Sequence, residues 1–145
     1  MDFSISRFEF GQKPPVTLPS HKFLALLTED GIRKMVSDHY DLIKISSISP
    51  LFPPEGEILE KAKLRSSDFF IQICGGHPYY LENRGKPMLA KRHAAGSISA
   101  EARLVWLQCY IEILSKLELP DDVINSFWNY LNIFSFWMVN TENHD

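Results

Sequence analysis

The helix breakers in this chain are unevenly distributed, and that distribution constrains the fold more than any other feature. Six of the nine prolines lie at or before Pro54, and no glycine follows Gly96. The last third of the chain is therefore free to form long helices, interrupted only at Pro120. Residues 1–19 alternate apolar and polar side chains (Phe3, Ile5, Phe8, Phe10) before running into Pro14-Pro15 and Pro19. A short strand is one reading of that stretch, and an irregular N-terminal arm laid on a domain spanning 20–145 is the better one.

From Ser20 onward the spacing is helical. Ser20 is placed to cap a short helix over 21–27, and Thr28 to cap the next, with Glu29 and Asp30 in its first turn. Ile32, Met35, Val36, His39, Tyr40 and Ile43 then share a face. After a proline-rich corner at 50–56 carrying Phe52, a helix is expected over 57–74, with Ile58, Ala62, Ser66, Phe69 and Ile73 on one side and Gly75-Gly76 at its end. Residues 77–99 read as a long connection with a short helix at 87–94, and a connection of that length is usually functional or wrapped around something. Ser97 or Ser99 caps a helix from 100 to about 117, with Ala102, Trp106, Cys109, Tyr110, Ile113 and Leu117 as its inner stripe. Pro120, Asp121 and Asp122 open a last helix running to about 140 through Val123, Ile124, Phe127, Leu131, Phe134 and Met138. The fold class is all-α.

Charge and composition narrow the function. With 145 residues and a formal charge of -3, the chain has one domain's length and no basic excess, which argues against nucleic-acid binding. Aromatics at 12% supply a core of large rings. Two cysteines, Cys74 and Cys109, make no disulfide framework and suit a reducing compartment. The start Met1-Asp2-Phe3-Ser4 has no signal-peptide character, and no stretch approaches the roughly 18 apolar residues that span a bilayer. The expectation is a cytoplasmic protein with no membrane partner.

Most catalytic signatures are absent: no phosphate-binding glycine loop, no H-E-x-x-H, no G-x-S-x-G and no C-x-x-C-H. Cys74-Gly-Gly-His77 reads either as a thiol beside a base or half a metal site, or as a helix end followed by a turn. His93 closes the segment Pro87-Met88-Leu89-Ala90-Lys91-Arg92-His93 and precedes Ala94-Ala95-Gly96, residues too small to crowd a flat ligand. It is either a structural histidine or a metal ligand. Tyr40 and Trp106 are either core rings or hydrogen-bond donors to a ligand that becomes partly anionic on binding.

The run Gly75-Gly76-His77-Pro78-Tyr79-Tyr80 through Gly85-Lys86-Pro87-Met88-Leu89 to Arg92-His93, followed by Trp106-Leu107-Gln108-Cys109, resembles the truncated haemoglobins, group II in particular. The resemblance spans about 23–140 and is strongest over 75–110. It implies a two-on-two helical sandwich with an N-terminal extension and haem b as cofactor. By the same resemblance His93 is the proximal iron ligand, and Arg92 and Tyr80 meet the haem propionates. Phe52 and Phe69 pack on the haem, Tyr40 and Trp106 are the distal donors, and Ala62 and Ser66 complete the distal row. Ala62 stands where many globins keep a distal histidine, and it donates no hydrogen bond. The chain departs from the family in its arm and in Ala94-Ala95-Gly96, which replaces the usual Pro-Phe.

The resemblance implies a pentacoordinate haem protein that binds O2, NO or CO, as a monomer or a dimer, for oxygen binding, transport or scavenging or for NO and oxidative-stress chemistry. Slow NO dioxygenase or peroxidase turnover would need a separate reductase, since 145 residues hold no flavin domain. The competing expectation is a haem-free globin-fold module that regulates or binds a partner protein.

Overall fold

The computed structural model describes residues 2–86 and 97–142. Among them it is all-helical, with α1 (His21–Lys44), α2 (Glu57–Ile73), α3 (Tyr79–Arg84), α4 (Ala100–Leu114) and α5 (Asp121–Phe134). Short 3-10 turns lie at Ser49–Leu51 and Ser135–Met138. The pairs α1–α2 and α4–α5 pack on each other, and α1 lies against both α4 and α5. None of the described helices is long and apolar enough to cross a membrane.

The expected boundary at Thr28 is present as a kink inside α1. Thr28 has φ 71 and ψ 167, and its hydroxyl accepts from the Gly31 N–H at 3.3 Å, capping the second segment. Ser20 and Ser99 cap α1 and α4 in the same way, accepting from the N–H groups of Lys22 and Ala102, each at 3.1 Å. The end of α2 needs glycine for two reasons. Gly75 has φ +86, and a Cβ on it would stand 2.6 Å from the His21 ring. α1 therefore lies directly on the Gly-Gly turn, which fixes where α3 begins.

Several elements differ from the sequence reading. Residues 79–84, expected as loop, form α3, a helix short enough to fit between Pro78 and Gly85. The expected short helix at 87–94 lies outside the described residues. α4 stops at Leu114 instead of running to about 117, and the last helix gives way at Ser135 to a 3-10 turn. On α2 the inner face is rotated by about one residue. Ile58 is 71% exposed, and Leu59 is buried with Ala62 and Phe69.

Residues 2–20 run as an irregular segment across α5 and its 3-10 extension. The Trp128 indole donates to the Ser4 carbonyl at 3.0 Å, and the Trp137 indole to that of Pro14 at 2.8 Å. Asn132 accepts from the Ser6 N–H and donates to the Ser6 hydroxyl, both at 2.9 Å. Phe3 meets Trp128 edge-on at 5.3 Å. Three of these contacts join a backbone that has no partner strand to a polar group on α5 or its 3-10 extension, which is how a segment without secondary structure is held.

Candidate functional site

A cavity of about 640 Å³ opens between the C-terminal half of α1, the Ser49–Leu51 corner, α2, α4 and the end of α5. Tyr40, Phe52, Ala62, Ser66, Phe69, Tyr80 and Trp106, the seven described residues singled out from the sequence, all line it. Arg92 and His93 lie outside the described residues.

Three helices carry the donor side of the cavity. The Tyr40 hydroxyl on α1 and the Ser66 hydroxyl on α2 are 3.2 Å apart, so either can donate to the other. Burial pushes the Tyr40 phenol above its ordinary range, with Ser66 and Arg65 acting weakly against it, so it remains a protonated donor at neutral pH. Phe52 meets the Tyr40 ring edge-on at 5.8 Å and fixes its tilt. Trp106 on α4 packs edge-on against His39 and Tyr110, at 5.1 and 4.8 Å.

His39 was placed by the sequence on the apolar face of its helix, and no site role was assigned to it. Its imidazole is 2% exposed, stacks on Tyr110 at 3.7 Å and lies 3.0 Å from the Trp106 carbonyl through Nε2. A carbonyl only accepts, so Nε2 carries the hydrogen and donates it. Burial lowers the pKa of this histidine to about 3, the bond to Trp106 opposing only in part, and the ring stays neutral. His39 thus ties α1 to the backbone of α4 at Trp106. Nothing in the helical spacing could reveal this link, because its acceptor is 67 residues away.

Arg103 was missed as well. It is 94% buried, since only 6% of it is exposed, and it lines the same cavity one helical turn before Trp106. The available signal was its position as the single charged residue between Glu101 and Glu112 on an apolar helix.

At the other end of the cavity, α3 presents Tyr80. The ring is fully buried, yet among the described residues its hydroxyl has no hydrogen-bond partner. The ring is held by the Arg84 guanidinium, 5.5 Å from its centroid, and Arg84 is held by Asp68 at 2.9 Å. Asp68 also takes Arg33 at 3.0 Å, so α1, α2 and α3 meet at one buried carboxylate. A buried hydroxyl without a partner is costly, and a carboxylate on a bound molecule would satisfy it.

The charges on the wall agree with that reading. Arg65 and Arg103 line the cavity, and no aspartate or glutamate does among the described residues. Rings surround a space large enough for a flat molecule, with cations and an unsatisfied donor at its boundary. These residues fit haem, a planar apolar group with two carboxylates.

Cys74 and His77 are not brought together as a site. The thiol is buried and its pKa pushed up to about 12 by desolvation, while His77 is half exposed and pairs with Glu82. No group of three or more metal-binding side chains occurs among the described residues.

Comparison with known proteins agrees with the geometry. The bacterial-like globin family matches residues 23–140. The group 2 truncated haemoglobin YjbI of Bacillus subtilis is 29% identical over 119 residues, covering 81% of this chain and 88% of that protein. The crystal structure of phosphate-bound Hell's gate globin IV superposes with a TM-score of 0.87 at 36% identity, covering 96% of this chain and 86% of that one. A thermostable haemoglobin from the actinobacterium Thermobifida fusca gives 0.75 at 30% identity, covering 81% and 96%. The chain belongs to the bacterial-like globin family, its relatives in sequence and fold are the group II truncated haemoglobins, and that membership implies haem-based binding of small ligands.

Proposed function

We propose that this protein binds haem b through His93 and uses Tyr40 and Trp106 to retain O2, with NO and CO as alternative ligands. The observation that carries this reading is the convergence of Tyr40 and Trp106, from different helices, on one ring-lined cavity that Tyr80, with its buried and unpartnered hydroxyl, also lines. Haem, when bound, would supply an iron able to take a diatomic ligand.

The chain's own residues do the rest. Phe52 and Phe69 present apolar surface to the flat group and exclude water from it. Tyr80 donates to a propionate, and Arg92 pairs with one. Tyr40, kept protonated by burial, donates toward the ligand, and Ser66 holds its hydroxyl in place at 3.2 Å. Trp106 offers its indole N–H from the opposite helix, its backbone fixed by His39. Ala62 contributes space and no hydrogen bond, so retention rests on Tyr40 and Trp106.

A ligand that gained negative charge on binding would be retained by the Tyr40 and Trp106 donors, and a hydrogen bond to a charged acceptor is worth roughly 1.5–3 kcal/mol. Trp106→Phe and Tyr40→Phe should therefore speed O2 release at least several-fold in stopped-flow displacement by CO. Unchanged off-rates in both variants would contradict the distal assignment. Oxygen scavenging or NO chemistry with an external reductase is the cellular use we assign to it, in the cytoplasm. NO consumption by the reduced protein, with and without a flavin reductase, separates simple binding from turnover.

A further inference from the structure

Among the described residues two charged side chains, Asp68 and Arg103, are deeply buried, and they are treated differently. Asp68 meets two guanidinium groups, those of Arg33 and Arg84. Among the described residues Arg103 meets no carboxylate within ion-pair distance. Its Nε donates to the Ser135 hydroxyl at 2.9 Å, Nη1 to the Ser6 carbonyl at 2.9 Å, and Nη2 to the carbonyl and side-chain oxygens of Asn132. The Phe136 ring lies 5.7 Å from the guanidinium carbon. All of these partners are neutral.

The charge that acts on Arg103 is Arg7, of the same sign. Burial first and Arg7 second lower the Arg103 pKa to about 10, which still leaves it charged at neutral pH. Hydrogen bonds satisfy the N–H groups but leave the net charge in place. Ser135, which takes the Nε proton, also lines the cavity, so the charged end of Arg103 is anchored on the cavity wall. The cavity's other lining charge, Arg65, is positive too, and among the described residues no carboxylate faces either of them.

A buried cation without a counter-charge biases the adjoining space toward negative groups, most strongly where the surroundings are apolar. We propose that Arg103, held in place by Ser6 of the N-terminal segment, selects anions over neutral molecules in the cavity. The inference rests on the haem reading above. Two sources could provide the negative charge: the carboxylates of haem, or a free anion bound at the iron.

The test compares the wild-type protein with Arg103→Met, Arg103→Lys and Ser135→Asp. Arg103→Met removes the charge together with its hydrogen bonds. Ser135→Asp keeps the guanidinium and its contacts to Ser6 and Asn132 but sets a carboxylate beside it in place of the Ser135 hydroxyl, so the result does not depend on whether the methionine variant folds. Arg103→Lys retains the charge. Haemin and haemin dimethyl ester are titrated into each protein, and azide and imidazole into each ferric haemin complex.

At an effective dielectric of about 20, one charge roughly 10 Å away is worth on the order of a tenfold change in affinity. The preference for haemin over its ester, or for azide over imidazole, should fall about tenfold in Ser135→Asp and Arg103→Met and persist in Arg103→Lys. A fall in the first preference identifies the haem carboxylates as the anion, and a fall in the second identifies a free anion. Equal losses for charged and neutral ligands, or no loss for either, would overturn the role of Arg103. Failure of the wild-type protein to bind haemin at all would instead overturn the functional reading itself.

Discussion

The packed end of the molecule and the cavity end are made from the same kinds of residue on the same helices. At the packed end Phe23 stacks on Phe127 at 4.1 Å, and contact runs on edge-on from Phe127 to Phe70 at 5.4 Å and from Phe70 to Tyr110 at 6.2 Å, the two rings that border the cavity. All four rings are buried. At the cavity end Tyr40, Phe52, Trp106 and Phe134 point inward from equivalent positions and remain only partly buried. Helical spacing specifies which side chains face inward, but not whether protein fills the space they face. The difference between the two ends is the volume left for a ligand, which Tyr80 helps to line.

The comparison is broken most strongly by Phe127→Ala. Truncating a fully enclosed ring should cost about 3–5 kcal/mol in urea unfolding, with or without haemin. An equal cost for Trp106→Ala in the haem-free protein would show that the cavity end is packed core after all.

His39 sits on the seam between the two ends, touching Tyr110 on one side and the cavity on the other. Its pKa is about 3 when folded and 6.5 when unfolded, so the unfolded chain binds an extra proton between those values. The stability that His39 contributes is therefore complete above about pH 6.5 and is lost as pH falls below it, by about 1.4 kcal/mol per unit. Urea midpoints at pH 7 and pH 5.5 should show this loss in the wild type and a flatter response in His39→Gln. Parallel responses in the two proteins would contradict a buried neutral histidine.

Tyr80→Phe should have the smallest effect on folding and sharpens the comparison at the cavity's edge. Removing an unsatisfied buried hydroxyl should leave the haem-free protein equally stable, or more stable by up to about 1 kcal/mol. The same change should speed haem loss to apomyoglobin several-fold, and an unchanged rate would remove Tyr80 from the propionate site.

Much of the helical framework was legible because it depends on local chemistry. Thr28 separates two helical segments through its own hydroxyl, Ser99 starts α4, and Gly75 ends α2 through its positive φ. α3 was hidden because six residues between a proline and a glycine show no periodicity. The rotation of α2 toward Leu59 was ambiguous for a similar reason, since Ile58 and Leu59 are adjacent and equally apolar.

The cavity-lining set was legible through family resemblance, because ring positions on a helix look alike whether they are core or pocket. His39 and Arg103 were not legible, since their roles are defined by Trp106, Ser6, Asn132 and Ser135, all far away in sequence. His93 and Arg92 rest on resemblance alone and lie outside the described residues.

The most direct test of the central claim is a haemin titration of the purified chain, followed in the Soret region, beside His93→Ala. The account predicts a band that saturates at one haem per chain in the wild type and is weakened or shifted in the variant. A folded, helical wild-type protein that takes up no haem would contradict the account and point to a haem-free module. A His93→Ala spectrum identical to the wild type would contradict His93 as the iron ligand.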